Sequence, residues 1–372
     1  MYSTKLIILL LLLAFPVYSF ASESGSRPDK KLNPLPLNLS QIKEDLTAND
    51  LKILKVEKLH DFLFRLTLKR GMRGFRAKWK IIGKSGSEKG SRAGNNAPRC
   101  ETAAYWLNEA VWGGETTREL LVSPTVVRAF HIDTPKCGKA CGKLPRFPDV
   151  NQSESFPGIN DHLIIGALSY WIEGIIHLDN FTTGKKPYFF DRQRFKKSRT
   201  YRKSFSDLNL FIYLTQHGDA NYSLNFPITE DYQRVFSVDN GHTFDGRKFQ
   251  YKHEWYGFRH DHSDDLTAQT FSRKTAKRLK NLDLQKLKRR LRVSALLNLD
   301  TGESVLYPPD ELTRKPLAEN PDFKRSYKGV YTGYWKKHNW AAWGIEEAGI
   351  KKTYWKVKTI SGLLGNKYSL FP

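Results

Sequence analysis

Four residues have the types and the order that phosphoryl transfer needs: Lys80, Glu101, Asp219 and Asp239. That reaction uses a lysine to hold nucleotide phosphates and a carboxylate to fix the lysine. One aspartate orients or deprotonates the attacking hydroxyl, and a second, usually with an asparagine, holds a divalent metal. Lys80 closes the stretch Gly74-Phe-Arg-Ala-Lys-Trp-Lys80, and Glu101 opens Glu101-Thr-Ala-Ala-Tyr-Trp-Leu-Asn-Glu-Ala-Val. Asp219 follows His217-Gly218 at the end of an apolar run, and Asp239 begins Asp239-Asn240-Gly241 after Val235-Phe-Ser-Val238. Singly these features are commonplace. A strand lysine is usually solvated, a glutamate in a first helical turn complements the helix dipole, and Asn-Gly makes turns. The ordered set is the specific signal.

The elements expected to position them follow from periodicity. Phe62-Leu-Phe-Arg-Leu-Thr-Leu68 is β-rich, with Phe62, Phe64, Leu66 and Leu68 on one face, which predicts a strand. Gly71 and Gly74 mark a turn, and Phe75 to Ile82 predicts the second strand of a hairpin, carrying Lys80. Helix formers run from Arg99 to Val111, with Gly113-Gly114 as the stop. Residues 120–132 predict one or two short strands, and 163–176 is largely apolar. Residues 207–215 predict a helix ending at His217-Gly218-Asp219, followed by a hairpin whose second strand is 235–238. Beyond Asp264 a basic helix is expected to run to about Arg292, with Leu279, Leu282, Leu287 and Leu291 near helical spacing. The tail from residue 320 is rich in Trp, Tyr, Lys and Gly. The order predicts an α+β protein of two lobes: a β-rich N-lobe over 51–165 and a mainly helical C-lobe over 166–372.

Lys5 and the apolar run Leu6–Phe15, broken by Pro16 and followed by Ser19-Phe-Ala21, have the three-part pattern of a signal peptide over 1–21. The run is too short to span a bilayer comfortably, so no stable membrane span is expected after cleavage. Residues 22–50 read as a flexible lead-in. The expected location is secreted or extracytoplasmic: a periplasm, or the lumen of the endoplasmic reticulum or Golgi. Cys100, Cys137 and Cys141 allow one loop disulfide or none. A net charge of +23 favours anionic partners. No nucleic-acid motif is present, and export disfavours that partner.

At these residues the chain resembles the secretory-pathway kinases related to four-jointed and the Golgi casein kinase, and more distantly the HipA-type kinases. The lysine strand is similar to that family's pattern of Gly, two residues, Ala, one residue, aromatic, Lys. Glu101-Thr-Ala-Ala-Tyr105 resembles its Glu-x-Ala-Ala-aromatic helix. Ser123-Pro-Thr-Val-Val127 resembles the segment leading into its next strand, and Val238-Asp-Asn-Gly241 its metal-binding Asp-Asn-Gly. The likeness covers about residues 60 to 245. It implies an atypical protein-kinase-like fold, ATP as phosphoryl donor and Mg²⁺ or Mn²⁺ as cofactor. Lys80 would contact the nucleotide phosphates, and Glu101 would position Lys80 or reach the metal through water. Asp219 would act on the acceptor hydroxyl, and Asp239 would hold the metal. Tyr170-Trp-Ile-Glu173 would face the adenine, with Glu173 as a cofactor contact. Asp219-Ala220-Asn221 stands where the family has Asp-Arg-His. Leu224 stands five residues after Asp219, where the metal-binding asparagine is common, so Asn225 is the preferred ligand over Asn221. No glycine-rich phosphate loop precedes Lys80.

The implied function is phosphorylation of a protein Ser/Thr or a glycan hydroxyl, on an acidic acceptor. Two alternatives stand beside it: a non-catalytic pseudokinase module binding anionic glycans or acidic proteins, and a nucleotidyl transferase on the same scaffold. His260-Asp-His-Ser-Asp-Asp265 reads as a solvated loop rather than a metal cluster. The basic run 273–292 reads as the solvated face of an amphipathic helix or as a docking face for an acidic substrate. The tail tryptophans are expected in the core, where large aromatics contribute most.

Overall fold

Asn38 opens the described chain by accepting a hydrogen bond from the Gln41 amide at 3.1 Å, which caps helix α1 (Leu39–Thr47). Leu39, Ile42 and Leu46 form its buried stripe. The segment expected as a flexible lead-in therefore holds a packed helix, because those three positions share one helical face. The computed structural model describes residues 38–60, 63–81, 98–113, 119–131, 163–176, 191–218, 225–244, 270–306, 310–314, 317–327 and 329–372. All of them belong to one compact unit, Leu32–Pro372; a second unit, Met1–Lys31, lies outside the described residues. The signal-peptide segment, Cys137, Cys141, Asp219 and the 260–265 run also lie outside them.

Alternation then builds a sheet from β1 (Lys52–His60), β2 (Leu63–Arg70) and β3 (Arg73–Ile81). Phe64, Leu66 and Leu68 are fully buried, as the period-two pattern predicts. Helix α2 (Pro98–Trp112) follows, and the Gly113 amide closes it on the Glu109 carbonyl. Strands β4 (Thr125–His131) and β5 (Leu163–Tyr170) complete an antiparallel sheet of order β1-β2-β3-β5-β4. Strand β5 runs across position 165/166, so the sheet extends past the boundary drawn from sequence. Arg128 donates to the Leu46 and Ala48 carbonyls and ties the end of α1 to β4.

The short strands β6 (Ile175–Ile176) and β7 (Ile228–Thr229) pair with each other around two helices, α3 (Arg192–Lys197) and α4 (Arg199–Thr215). Helix α4 starts eight residues earlier than its apolar run suggests, because Ser198 caps it through the Tyr201 amide. After β8 (Thr270–Ser272), the basic region forms two helices rather than one: α5 (Arg273–Lys280) and α6 (Leu284–Arg292). Asp283 accepts from the Gln285 and Lys286 amides and starts a new helix there.

Among the described residues the C-terminal part mixes strands with helices rather than being mainly helical. β9 (Ala295–Asn298), β10 (Ser304–Leu306), the short helix α7 (Asp310–Thr313), β11 (Phe323–Tyr327), β12 (Val330–Trp335) and β13 (His338–Trp343) precede helix α8 (Glu347–Leu363) and strand β14 (Ser369–Phe371). The five strands make a second antiparallel sheet, β10-β9-β13-β12-β11. Aromatic and β-branched residues favour such a surface. Lys336 and Lys337, both with positive φ, form the two-residue turn between β12 and β13. Ala341 and Trp343 pack with Val127, Ala129 and Ile165, so the two sheets share a small core. Among the described residues the architecture is α+β, with two five-stranded antiparallel sheets, two two-stranded pairs and interspersed helices. Among the described residues no helix is long and apolar enough to cross a membrane.

Gly166 lets β5 approach the lysine strand. A Cβ there would meet the Lys80 carbonyl at 2.6 Å and the Ile81 Cα at 2.9 Å. Gly166→Ala is therefore expected to cost about 1–3 kcal/mol, read as a lower urea midpoint at unchanged slope. A wild-type midpoint would show that the two strands are not held this closely.

Candidate functional site

The pleat of β3 sends Trp79 into the core and Arg76, Lys78 and Lys80 to the opposite face. Register carries that face across the sheet, because Lys78 lies opposite Ser169, and Ser169 opposite Thr125. The three cations meet three acids. Arg76 donates to Glu173 at 2.9 Å, while Lys78 and Lys80 stand 3.8 Å and 3.7 Å from the Glu101 carboxylate. Lys80 also donates to Asp239. Lys80 is only 6 % exposed and Glu101 1 %, so this is a buried charge cluster, with Asp239 open to one side. Removing one partner from such a group leaves an uncompensated charge.

Glu101 reaches Lys80 because it sits in the first turn of α2, where a carboxylate also suits the helix dipole. Asp239 gets there through a hairpin. The Val238 amide donates to the Asn225 carbonyl at 2.8 Å, Phe236 to Pro227 at 2.9 Å and Thr229 to Arg234 at 2.8 Å. These bonds set Asn225 beside the residue preceding Asp239. The second strand expected over 235–238 is reduced to a single bridge, Ile228 to Val235. Asp239 itself adopts a left-handed conformation, φ 58° and ψ 59°, which aspartate tolerates better than most residues. A 3₁₀ turn, Asn240–His242, follows. Asn240 is buried; its Oδ1 accepts from the Ser237 hydroxyl at 2.7 Å and its Nδ2 donates to the Ser237 carbonyl. This clasp holds the turn that aims Asp239.

Lys78, Lys80, Glu101, Asn225 and Asp239 all line one cavity of about 400 Å³. That volume lies in the range of about 300–1,000 Å³ usual for small-ligand sites. Leu59, Leu63, Val122, Ile172 and Ile175 form an apolar part of its wall, with the hydroxyls of Ser123, Thr125 and Ser169 beside them. Tyr170, Trp171 and Ile172 line it as well. Glu173 does not: its carboxylate is held outside the lining by Arg76. Asp219, Asn221 and Leu224 lie outside the described residues, but the preceding His217 and Gly218 are placed. The Gly218 amide donates to the His242 carbonyl at 2.8 Å, so this loop abuts the Asp239 turn.

Two features escaped the sequence reading. Lys78 is a second cation on Glu101, and alternation at 76, 78 and 80 was the signal for it. His217 is the other. Its ring is 4 % exposed against Phe226, and among the described residues neither nitrogen has a hydrogen-bond partner. No sequence pattern announces that. Burial lowers its pKa to about 4, despite the opposing pull of Asp239. For Asp239, burial disfavours the charged form, but Lys80 and Lys78 outweigh it and hold the carboxyl below its ordinary range. Among the described residues no three His, Cys, Asp or Glu side chains converge as a metal cage. Mg²⁺ needs no such cage, since one or two carboxylates plus phosphate oxygens commonly suffice.

The His217 imidazole stays neutral in the folded chain down to about pH 4, while the unfolded chain protonates it below about pH 6.5. The unfolded state thus binds the extra proton in that window, and stability falls as pH drops through it. Denaturation at pH 7.5 and pH 5 should show wild type losing about 2 kcal/mol more than His217→Gln. Equal losses would place a partner on the ring.

No protein-family model matches this chain, and no curated protein matches it either. The reading of the site rests on its own chemistry.

Proposed function

We propose that this chain is an exported ATP-dependent phosphotransferase of two-lobed, kinase-like plan, acting on a protein Ser/Thr or a glycan hydroxyl. One observation carries the reading: Lys80 bridges Glu101 and Asp239 on the wall of a nucleotide-sized cavity. A structural salt bridge does not need a cavity beside it or a strained aspartate at its open end. Strained backbone clusters at functional sites.

In this reading Lys80 holds the nucleotide phosphates and Glu101, aided by Lys78, keeps its ammonium in place. The apolar wall and the 170–172 segment take the base. Asp239 and Asn225 supply the oxygen ligands for Mg²⁺ or Mn²⁺. Their fit rests on a carboxylate held ionised and an asparagine brought alongside by backbone pairing. When bound, the cation neutralises charge on the transferring phosphoryl group. Asp219 takes the hydroxyl proton as the acceptor oxygen bonds the γ-phosphorus and the bond to ADP breaks. The catalytic work is positioning and electrostatics.

The test is nucleotide-induced thermal stabilisation and ATP turnover with Mg²⁺ or Mn²⁺, for wild type, Asp239→Ala and Asp219→Ala. Asp239→Ala should lose metal-dependent nucleotide binding. Both variants should lose turnover by at least about 10³-fold, the scale of removing a key electrostatic group. Nucleotide binding without turnover in wild type would favour the pseudokinase alternative. A nucleotide-sized rather than phosphate-sized mass gain on the acceptor would favour nucleotidyl transfer. No nucleotide binding by folded wild type overturns both transferase readings and leaves the non-catalytic module that binds anionic glycans or acidic proteins.

A further inference from the structure

Away from the Lys80 cavity, helices α2, α5 and α6 enclose a second groove of about 730 Å³. Five cations line it: Lys274, Lys277 and Arg278 from α5, Lys286 and Arg290 from α6. Their spacing is helical. Residues 274, 277 and 278 share one face of α5, and 286 and 290 share one face of α6. Two cationic rows therefore border the same groove.

The carboxylates around it already have partners. Glu109 takes Lys43 at 2.6 Å. Asp283 is occupied by the backbone amides that it caps. Glu119 at the rim binds Lys274 at 2.6 Å and Arg278 at 3.3 Å, and Asp310 binds Arg290 at 3.4 Å. Neither Lys277 nor Lys286 pairs with a carboxylate among the described residues. Like charges at these helical spacings repel, and Glu119, Asp310 and Asp283 offset only part of that repulsion in a concave site. The remaining lining is an apolar patch, Trp106, Ala110 and Leu282, with Asn281 beside it.

We propose that this groove binds a ring-bearing polyanion, a sugar or cyclitol carrying several phosphate or sulfate groups. The apolar patch suits the C–H face of a ring. The arginine forks and lysine ammoniums around it suit tetrahedral oxyanions. The volume suits one compact ligand. The proposal is independent of the phosphotransferase reading, because no residue of the Lys80 cluster takes part.

The test is calorimetric titration at low salt with three probes: inositol hexakisphosphate, a heparin-derived tetrasaccharide, and a linear oligoglutamate of matched charge. At least one ring probe should bind, and the tighter of the two identifies phosphate or sulfate as the source. Binding should weaken by at least about tenfold, or 1.4 kcal/mol, in the double variant Lys277→Glu and Lys286→Glu, whose unchanged thermal midpoint shows that it folds. Lys78→Met, which removes a cation from the other cavity, should leave binding intact. The proposal is overturned by no binding of either ring probe, by oligoglutamate binding as tightly as the rings, by full retention in the double variant, or by loss in Lys78→Met.

Discussion

The burial of the Lys80 ammonium constrains the rest of the molecule. A lysine that is 6 % exposed cannot stand alone in a protein interior. It needs carboxylates, and those it finds come from distant parts of the chain: Glu101 from α2 and Asp239 from the turn after the hairpin. A strand, a helix end and a loop must therefore converge on one point. Isolated ion pairs of this kind contribute little net stability, since desolvation offsets attraction. What the cluster does provide is a fixed geometry, in which the strand face, the first turn of α2 and the Asp239 turn hold each other in register. The second cation, Lys78, leaves Glu101 shared between two ammoniums and so anchored from two sides.

Around that point the supporting structure is mostly apolar and mostly backbone. Trp79 packs edge-on against Phe130 behind the lysine strand. The Ser237 amide donates to the Leu121 carbonyl at 2.7 Å, which pins the approach to Asp239 against the segment before β4. Asn240 lines the cavity too, but its side-chain amide is spent on the Ser237 clasp, which shapes the turn. Gln216 and Asp239 are among the nearby residues with positive φ, where the chain is bent against its ordinary preference. Both lie where the loop of His217 meets the turn of Asp239. Conformational strain held by surrounding structure is characteristic of working sites.

The two basic regions of the chain have different fates, although composition does not separate them. On β3 the cations at 76, 78 and 80 are matched by Glu173, Glu101 and Asp239. On α5 and α6 the cations outnumber the acids, and two lysines at the groove make no direct ion pair among the described residues. Strand periodicity and helix periodicity distribute charge differently. The first stacks alternate residues onto one face, and the second sets rows three and four apart. Which rows gain partners depends on what packs opposite them.

Local pattern determined a good deal on its own. The alternation of Phe64, Leu66 and Leu68 fixed a strand and its buried face, and the helix from Pro98 to Trp112 was bounded by its formers and by Gly113. Asn225 was a candidate by its spacing from Asp219, but only its backbone bond to Val238 sets it at the cavity. Other features were present in the sequence but outweighed. The stripe of α1 was hidden beside a Pro- and Ser-rich stretch, and the α5–α6 break looked like a continuous basic helix until Asp283 capped the second. The aromatic tail gave no period strong enough to predict five strands, because that sheet is stabilised by pairing and by packing on β4 and β5, which are non-local. The placement of Glu173 against Arg76, the isolation of the His217 ring and the approach of Lys80 to Asp239 all depend on contacts between residues far apart in the chain. Sequence periodicity reports which face a residue takes. Only the folded structure decides what stands across from that face.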